Sequence, residues 1–310
     1  MRDLGDRPLA RQEKSRRDVF QIHFFLSYRP QRTSKAMSFR RQSLEILYQP
    51  PIQSNFQIES GQFAADAHDT VHALFLPEKY APGYGYPLIV WLHGPGSDER
   101  QLMRIMPLVS LRNFVAVAPR GTLMEAAATD VSRPPQAEIY GWSPSAERLQ
   151  QAEQRIFDCI ELAGRRLHIH PRRVFLAGFD CGGTMAFQVG LNHPYRFAGI
   201  LSLGGAFPRD PLGRAPLSRL PEARRLSIFL AAGRRSQVYD ETHVCGDLRL
   251  LHTAGLSTTL RLYPDGHELT PQMLSDVNRW IMDQILSPPS AAGSNRQPSQ
   301  EAEEGQPERF

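Results

Sequence analysis

Two rhythms of apolar and polar positions alternate along the chain. Pro87–Leu92 is an unbroken apolar run that stops at His93-Gly94. A run this short, closed by a turn signal, fits a strand covered on both faces. The same signal recurs at Phe114–Ala118, Arg173–Ala177, Gly199–Leu203, Leu226–Ala231 and Thr258–Tyr263, with earlier strands at Phe56–Glu59 and Val71–Leu76. Between them lie helical stretches at Asp98–Leu111, Ser145–His168, Thr184–Asn192, Asp240–Ala254 and Pro271–Leu286. In the longest, Ala152, Ile156, Cys159, Ile160 and Ala163 form one apolar stripe, as a helix lying on a sheet requires. Ser97 or Asp98 is expected to cap the first helix. The alternation predicts an α/β domain over residues 43–286, with a mostly parallel sheet of about eight strands and helices on both faces. In such a sheet, chemistry collects at the carboxyl ends of the strands.

Charge changes the picture of the ends. The 310 residues carry a net charge of +4, but residues 1–42 hold +7, residues 287–310 hold −2, and the span between is close to neutral. The basic head and the Pro-, Ser- and Glu-rich tail lack apolar periodicity and read as disordered extensions. Met37 is a second candidate start. The positive balance therefore does not belong to the folded part, and no nucleic-acid partner is expected. No apolar run approaches the ~18 residues of a membrane span. Val19–Leu26 is too short and too interrupted by Gln21 and His23 to serve as a signal segment. Three scattered cysteines, Cys159, Cys181 and Cys245, make neither a disulfide framework nor a zinc site. A cytoplasmic setting is expected, with no cofactor and no metal.

Four segments fall at strand ends: His93-Gly94-Pro95-Gly96, Gly178-Phe179-Asp180-Cys181-Gly182-Gly183, Gly233-Arg234-Arg235-Ser236 and Asp265-Gly266-His267. Together with VAVAPRG and YGWSP, in this order, they resemble the carboxylesterase/phospholipase (putative esterase) family of α/β-hydrolases over roughly residues 56–286. The resemblance implies the α/β-hydrolase fold, a small-molecule ester as ligand, and a nucleophile on a sharp strand-to-helix elbow of pattern G-x-S-x-G. Gly178 and Gly182 keep that pattern, but the central position is Asp180. The family's acid position, three residues after Gly233, holds Ser236, while the histidine is kept as His267. The resemblance places one oxyanion donor on the backbone of Cys181 and the other at Pro95, which has no N–H to give.

The reading adopted is a family member catalytically impaired by these changes, a possible pseudoenzyme. One alternative is an active hydrolase in which Asp180 attacks carbon and His267 activates water, with Asp240 or Glu241 standing in for the missing acid. Another is a ligand-binding or regulatory protein using the old ester pocket. Trp142 and Phe207 are expected to contact substrate or to pack the loops around it. The Cys181 side chain is expected to pack inward. Ser143 and Ser202 are not at an elbow, and His168-x-His170 reads as a turn rather than a metal site.

Overall fold

The computed structural model describes residues 71–124, 138–209 and 217–286. The expected strand at Phe56–Glu59, the basic head, the tail and most of the loop at residues 130–138 lie outside the described residues. Among the described residues there are nine strands: β1 (His72–Phe75), β2 (Tyr86–Leu92), β3 (Val115–Pro119), β4 (Thr122–Met124), β5 (Ile139–Gly141), β6 (Ile169–Phe179), β7 (Gly199–Leu203), β8 (Ser227–Gly233) and β9 (Ser257–Tyr263). The helices are α1 (Gln101–Val109), α2 (Ala146–Arg166), α3 (Cys181–Asn192), α4 (Leu220–Ala223), α5 (Glu241–Thr253) and α6 (Pro271–Leu286).

Seven strands form one sheet in the order β1-β3-β2-β6-β7-β8-β9. Only β1 runs antiparallel to its neighbour; the other pairings are parallel. The β2 run explains the architecture. Leu88, Val90 and Leu92 enter one core and Ile89 and Trp91 the other, so every residue of the strand is buried. The first core is closed by α2, α3 and α5, the second by α1 and α6. On α2 the stripe Ala152, Ile156, Cys159 and Ala163 is buried. Glu147 lies in its first turn and Arg165 and Arg166 in its last, which suits the helix dipole.

Two local expectations are corrected, and one pair of strands is added. α1 starts at Gln101, and neither Ser97 nor Asp98 caps it; Asp98 Oδ1 instead accepts from Arg100 N–H at 2.9 Å in the preceding turn. α3 starts at Cys181, three residues early, because Gly182 and Gly183 carry no side chain to reveal helical spacing. β4 and β5 form a separate antiparallel hairpin that the sequence pattern did not announce.

Candidate functional site

Asp180 sits at the turn between β6 and α3 with φ 51° and ψ −119°. A non-glycine residue in that region is strained, at a cost of about 1–3 kcal/mol. The surrounding glycines make the turn feasible. A Cβ on Gly178 would lie 2.4 Å from the Gly182 carbonyl carbon, and one on Gly182 would lie 2.2 Å from the Leu92 carbonyl oxygen. The tight turn lifts the Asp180 carboxylate out of the sheet, leaving its side chain 25% exposed.

His267 follows β9 and meets that carboxylate, with Nε2 2.7 Å from Asp180 Oδ2. The other ring nitrogen, Nδ1, lies 3.1 Å from Ser236 Oγ. Ser236 is buried in the turn after β8, and its oxygen accepts the Tyr239 N–H at 3.0 Å. The ring of Phe179 lies 5.2 Å from the imidazole, centroid to centroid. The structure thus brings Asp180, His267 and Ser236 into one hydrogen-bonded row. Asp240 and Glu241 do not join it. Asp240 caps α5 by accepting His243 N–H at 3.0 Å and also pairs with the His243 ring. Glu241 is exposed in the first turn of that helix.

A carboxylate can only accept, so His267 Nε2 must carry the proton in this arrangement. Ser236 accommodates either charge state of the ring. It accepts from Nδ1–H in the imidazolium and donates to a bare Nδ1 in the neutral form.

The loop after β2 faces the elbow. Pro95 is exposed at its tip. Gly94 N–H, the neighbouring amide, lies 3.3 Å from Gln101 Oε1, which also takes the Trp91 indole N–H at 2.8 Å. His93 is fully buried and anchors the loop. Its Nε2 accepts Gly121 N–H at 2.9 Å, so Nδ1 carries the proton and donates to Gly94 O at 2.9 Å. Burial holds its pKa below the ordinary value, which keeps this tautomer neutral. Glu99 is also buried and is gripped by Arg120 through two contacts of 2.7 Å.

Cys181 opens α3, where N–H groups have no partner within the helix. Its thiol is pushed up to about 11, chiefly by burial, against a hydrogen bond from the Trp142 backbone. Trp142 is buried, with its indole N–H on His93 O at 3.1 Å. Phe207 is 3% exposed and packs edge-on against Phe187 at 5.2 Å. Both rings are therefore packed into the body, beside the loops they were assigned to. Ser202 is fully buried and donates to Gly205 O at 2.8 Å. Ser143 lies in the turn before α2, its hydroxyl 3.5 Å from Ser145 N. His168 Nδ1 lies 3.1 Å from Pro82 O, and His170 Nδ1 accepts Arg172 N–H at 3.3 Å. No cluster able to hold a metal ion occurs among the described residues.

Sequence reasoning missed Tyr239 and Asp247. Asp247, on α5, is 1% exposed. Its Oδ2 accepts Phe207 N–H at 2.7 Å and Tyr239 O–H at 2.9 Å, and its Oδ1 meets Arg209 at 2.6 Å. It ties the loop after β7 to the turn that carries Ser236. The signal was available: Val244, Asp247 and Leu251 share one helical stripe, and an acid in a buried stripe needs partners.

Residues 85–285 match the Phospholipase/Carboxylesterase family. Over 162 residues the chain is 29% identical to "Putative esterase NocK" of Nocardia uniformis subsp. tsuyamanensis, covering 52% of this chain and 42% of that protein. The chain thus spans less than half the length of this relative. Among solved structures, a carboxylesterase of Bacillus cereus aligns with a TM-score of 0.53 at 16% identity, covering 69% of this chain and 94% of that one. SOBER1 of Arabidopsis thaliana aligns with a TM-score of 0.54 at 19% identity, covering 65% and 100%.

Proposed function

From a chain that belongs to the phospholipase/carboxylesterase family of α/β-hydrolases, we infer a member impaired in ester hydrolysis, whose cleft binds small ester-like molecules without turning them over by the serine route. The observation that carries this reading is the 2.7 Å contact between Asp180 Oδ2 and His267 Nε2.

Two chemical consequences follow from a carboxylate at that position. First, attack by Asp180 on an ester carbonyl would give a mixed anhydride. The tetrahedral adduct would collapse backwards, because carboxylate leaves far more readily than alkoxide. Second, a general base needs a free lone pair on the nitrogen that faces the substrate. Asp180 accepts from His267 Nε2, so that nitrogen holds its proton in both charge states of the ring. The acid position supplies Ser236, a neutral hydroxyl that orients the ring without a charge to stabilise an imidazolium formed during turnover. Pro95 removes a further oxyanion donor, a loss of about 10²–10³ in rate in enzymes of this type, and Gly94 N–H already has an acceptor in Gln101.

A second reading is favoured by the strained backbone that presents the Asp180 carboxylate at φ 51°. Attack at a saturated carbon would form an ordinary alkyl ester and open an epoxide or expel a halide. One experiment separates the readings: hydrolysis of an ester panel and an epoxide panel by the natural protein and by Asp180→Asn. The impaired reading expects neither panel to turn over and saturable thermal shifts with non-reacting acyl compounds. Robust turnover that Asp180→Asn abolishes would overturn it.

A further inference from the structure

Residues 43–286 are close to neutral in sum, but their charges are unevenly placed. β6, β7 and β8 are adjacent and parallel, with Phe175, Gly199 and Ser227 in register. The segments feeding their amino ends therefore emerge side by side, at strand spacings of about 4.8 Å. Those segments carry exposed Arg165, Arg166, Arg172, Arg196, Arg224 and Arg225. Among the described residues there, the carboxylates are Glu161, which pairs with Arg165, and Glu222. The crowding is felt locally: burial first, then Arg173 and Arg172, hold the His170 pKa below its ordinary value. At the opposite ends of the strands, the loops that carry the candidate site hold, among the described residues, seven carboxylates and five arginines.

We propose that this arginine-rich face docks on an anionic membrane surface, leaving the Asp180–His267 cleft open to solvent on the far side. Two features favour a lipid surface over another polyanion. The arginines are spread over three neighbouring strand ends and the last turn of α2, an array with breadth in two directions. Tyr195 stands 65% exposed among them, with the Arg225 guanidinium 4.9 Å from its ring centroid. An exposed aromatic ring beside cationic groups suits the headgroup layer, where tyrosine concentrates. Each arginine near such a surface strengthens attraction to anionic lipid by about five-fold at physiological salt.

The test is co-sedimentation of the full chain with vesicles of phosphatidylcholine and phosphatidylglycerol at about 3:1, against phosphatidylcholine alone, in low and high salt. The natural protein should bind the anionic vesicles, lose most binding in high salt, and ignore the neutral ones. Arg172→Glu with Arg225→Glu should weaken binding at least about 25-fold, the effect of two lost charges alone. Arg234→Glu with Arg235→Glu makes the same change in net charge at the opposite ends of the strands and should leave binding within about two-fold. Every variant retains the basic head, so the head cannot produce a difference between the two pairs. Equal losses in both pairs would overturn the proposal. So would no loss with Arg172→Glu/Arg225→Glu, or binding to a single-stranded polynucleotide that needs those arginines while vesicles stay unbound.

Discussion

Replacing Asp247 with alanine should damage the protein more than any surface carboxylate change, and should do so through the site. The side chain is 1% exposed and satisfies three donors: Phe207 N–H, Tyr239 O–H and Arg209. Removing one partner of a buried charge pair costs about 3–5 kcal/mol. Arg209 is 39% exposed and can recover water, so the lower end, about 3 kcal/mol, applies. Much of that comes from leaving the Phe207 amide buried without an acceptor, a loss of about 1–3 kcal/mol by itself. Domains of this kind have about 5–15 kcal/mol in total, so Asp247→Ala should fold with a much lower denaturation midpoint. Tyr239→Phe deletes one of the three bonds to this charged carboxylate and should cost about 1.5–3 kcal/mol. Urea titrations of both single variants and the double variant give the coupling, expected near 1 kcal/mol because the residues touch. Additive effects, or a loss below about 0.5 kcal/mol for Asp247→Ala with unchanged m-value, would refute the clamp.

Three further outcomes are expected. Burial, the largest single influence, pushes Glu99 up, but the Arg120 hydrogen bond, a backbone hydrogen bond and the charges of Arg120 and Arg100 together hold it below its ordinary value of 4.5. The pair therefore adds stability that is full above pH 4.5 and fades as pH falls through the lowered value; Glu99→Gln should flatten the acid limb of a stability–pH curve measured below pH 4.5. The Cys181 thiol, pushed up to about 11 mainly by burial, should alkylate slowly at neutral pH and accelerate towards that value in a stopped-time iodoacetamide assay; fast alkylation at neutral pH would contradict its packed placement. Gly182→Ala puts a methyl 2.2 Å from the Leu92 carbonyl oxygen, and overpacking of that kind should cost at least about 1–3 kcal/mol in thermal unfolding.

The fold was largely legible because buried parallel strands announce themselves as unbroken apolar runs. Leu88 to Leu92 must feed two cores at once, and no other pattern does that. Boundaries were less legible where backbone rather than side chains decides: the glycines of the elbow hid the start of α3, and the hairpin of β4 and β5 is three residues long on each side. Asp180, His267 and Ser236 could be grouped in advance because the resemblance to the esterase family assigns its three site positions to them. Asp240 was a plausible stand-in acid by position, yet its carboxylate is satisfied by capping α5. Asp247 escaped notice because its partners come from two distant loops, and only the packed structure brings Phe207 and Tyr239 to it. The arginine face escaped for the same reason: its members are scattered in sequence and gathered by strand register.

The proposed loss of ester hydrolysis is assigned to Asp180, Ser236 and Pro95 together. Its most direct test is the steady-state hydrolysis of a short-chain nitrophenyl ester by a repair series. The natural protein should show no turnover above buffer. Asp180→Ser with Ser236→Asp should recover little, and adding Pro95→Ala should raise the rate by a further factor of about 10²–10³ as the missing amide returns. Turnover by the natural protein that disappears in Asp180→Asn would contradict the account, as would a double variant that reaches full rate with Pro95 in place.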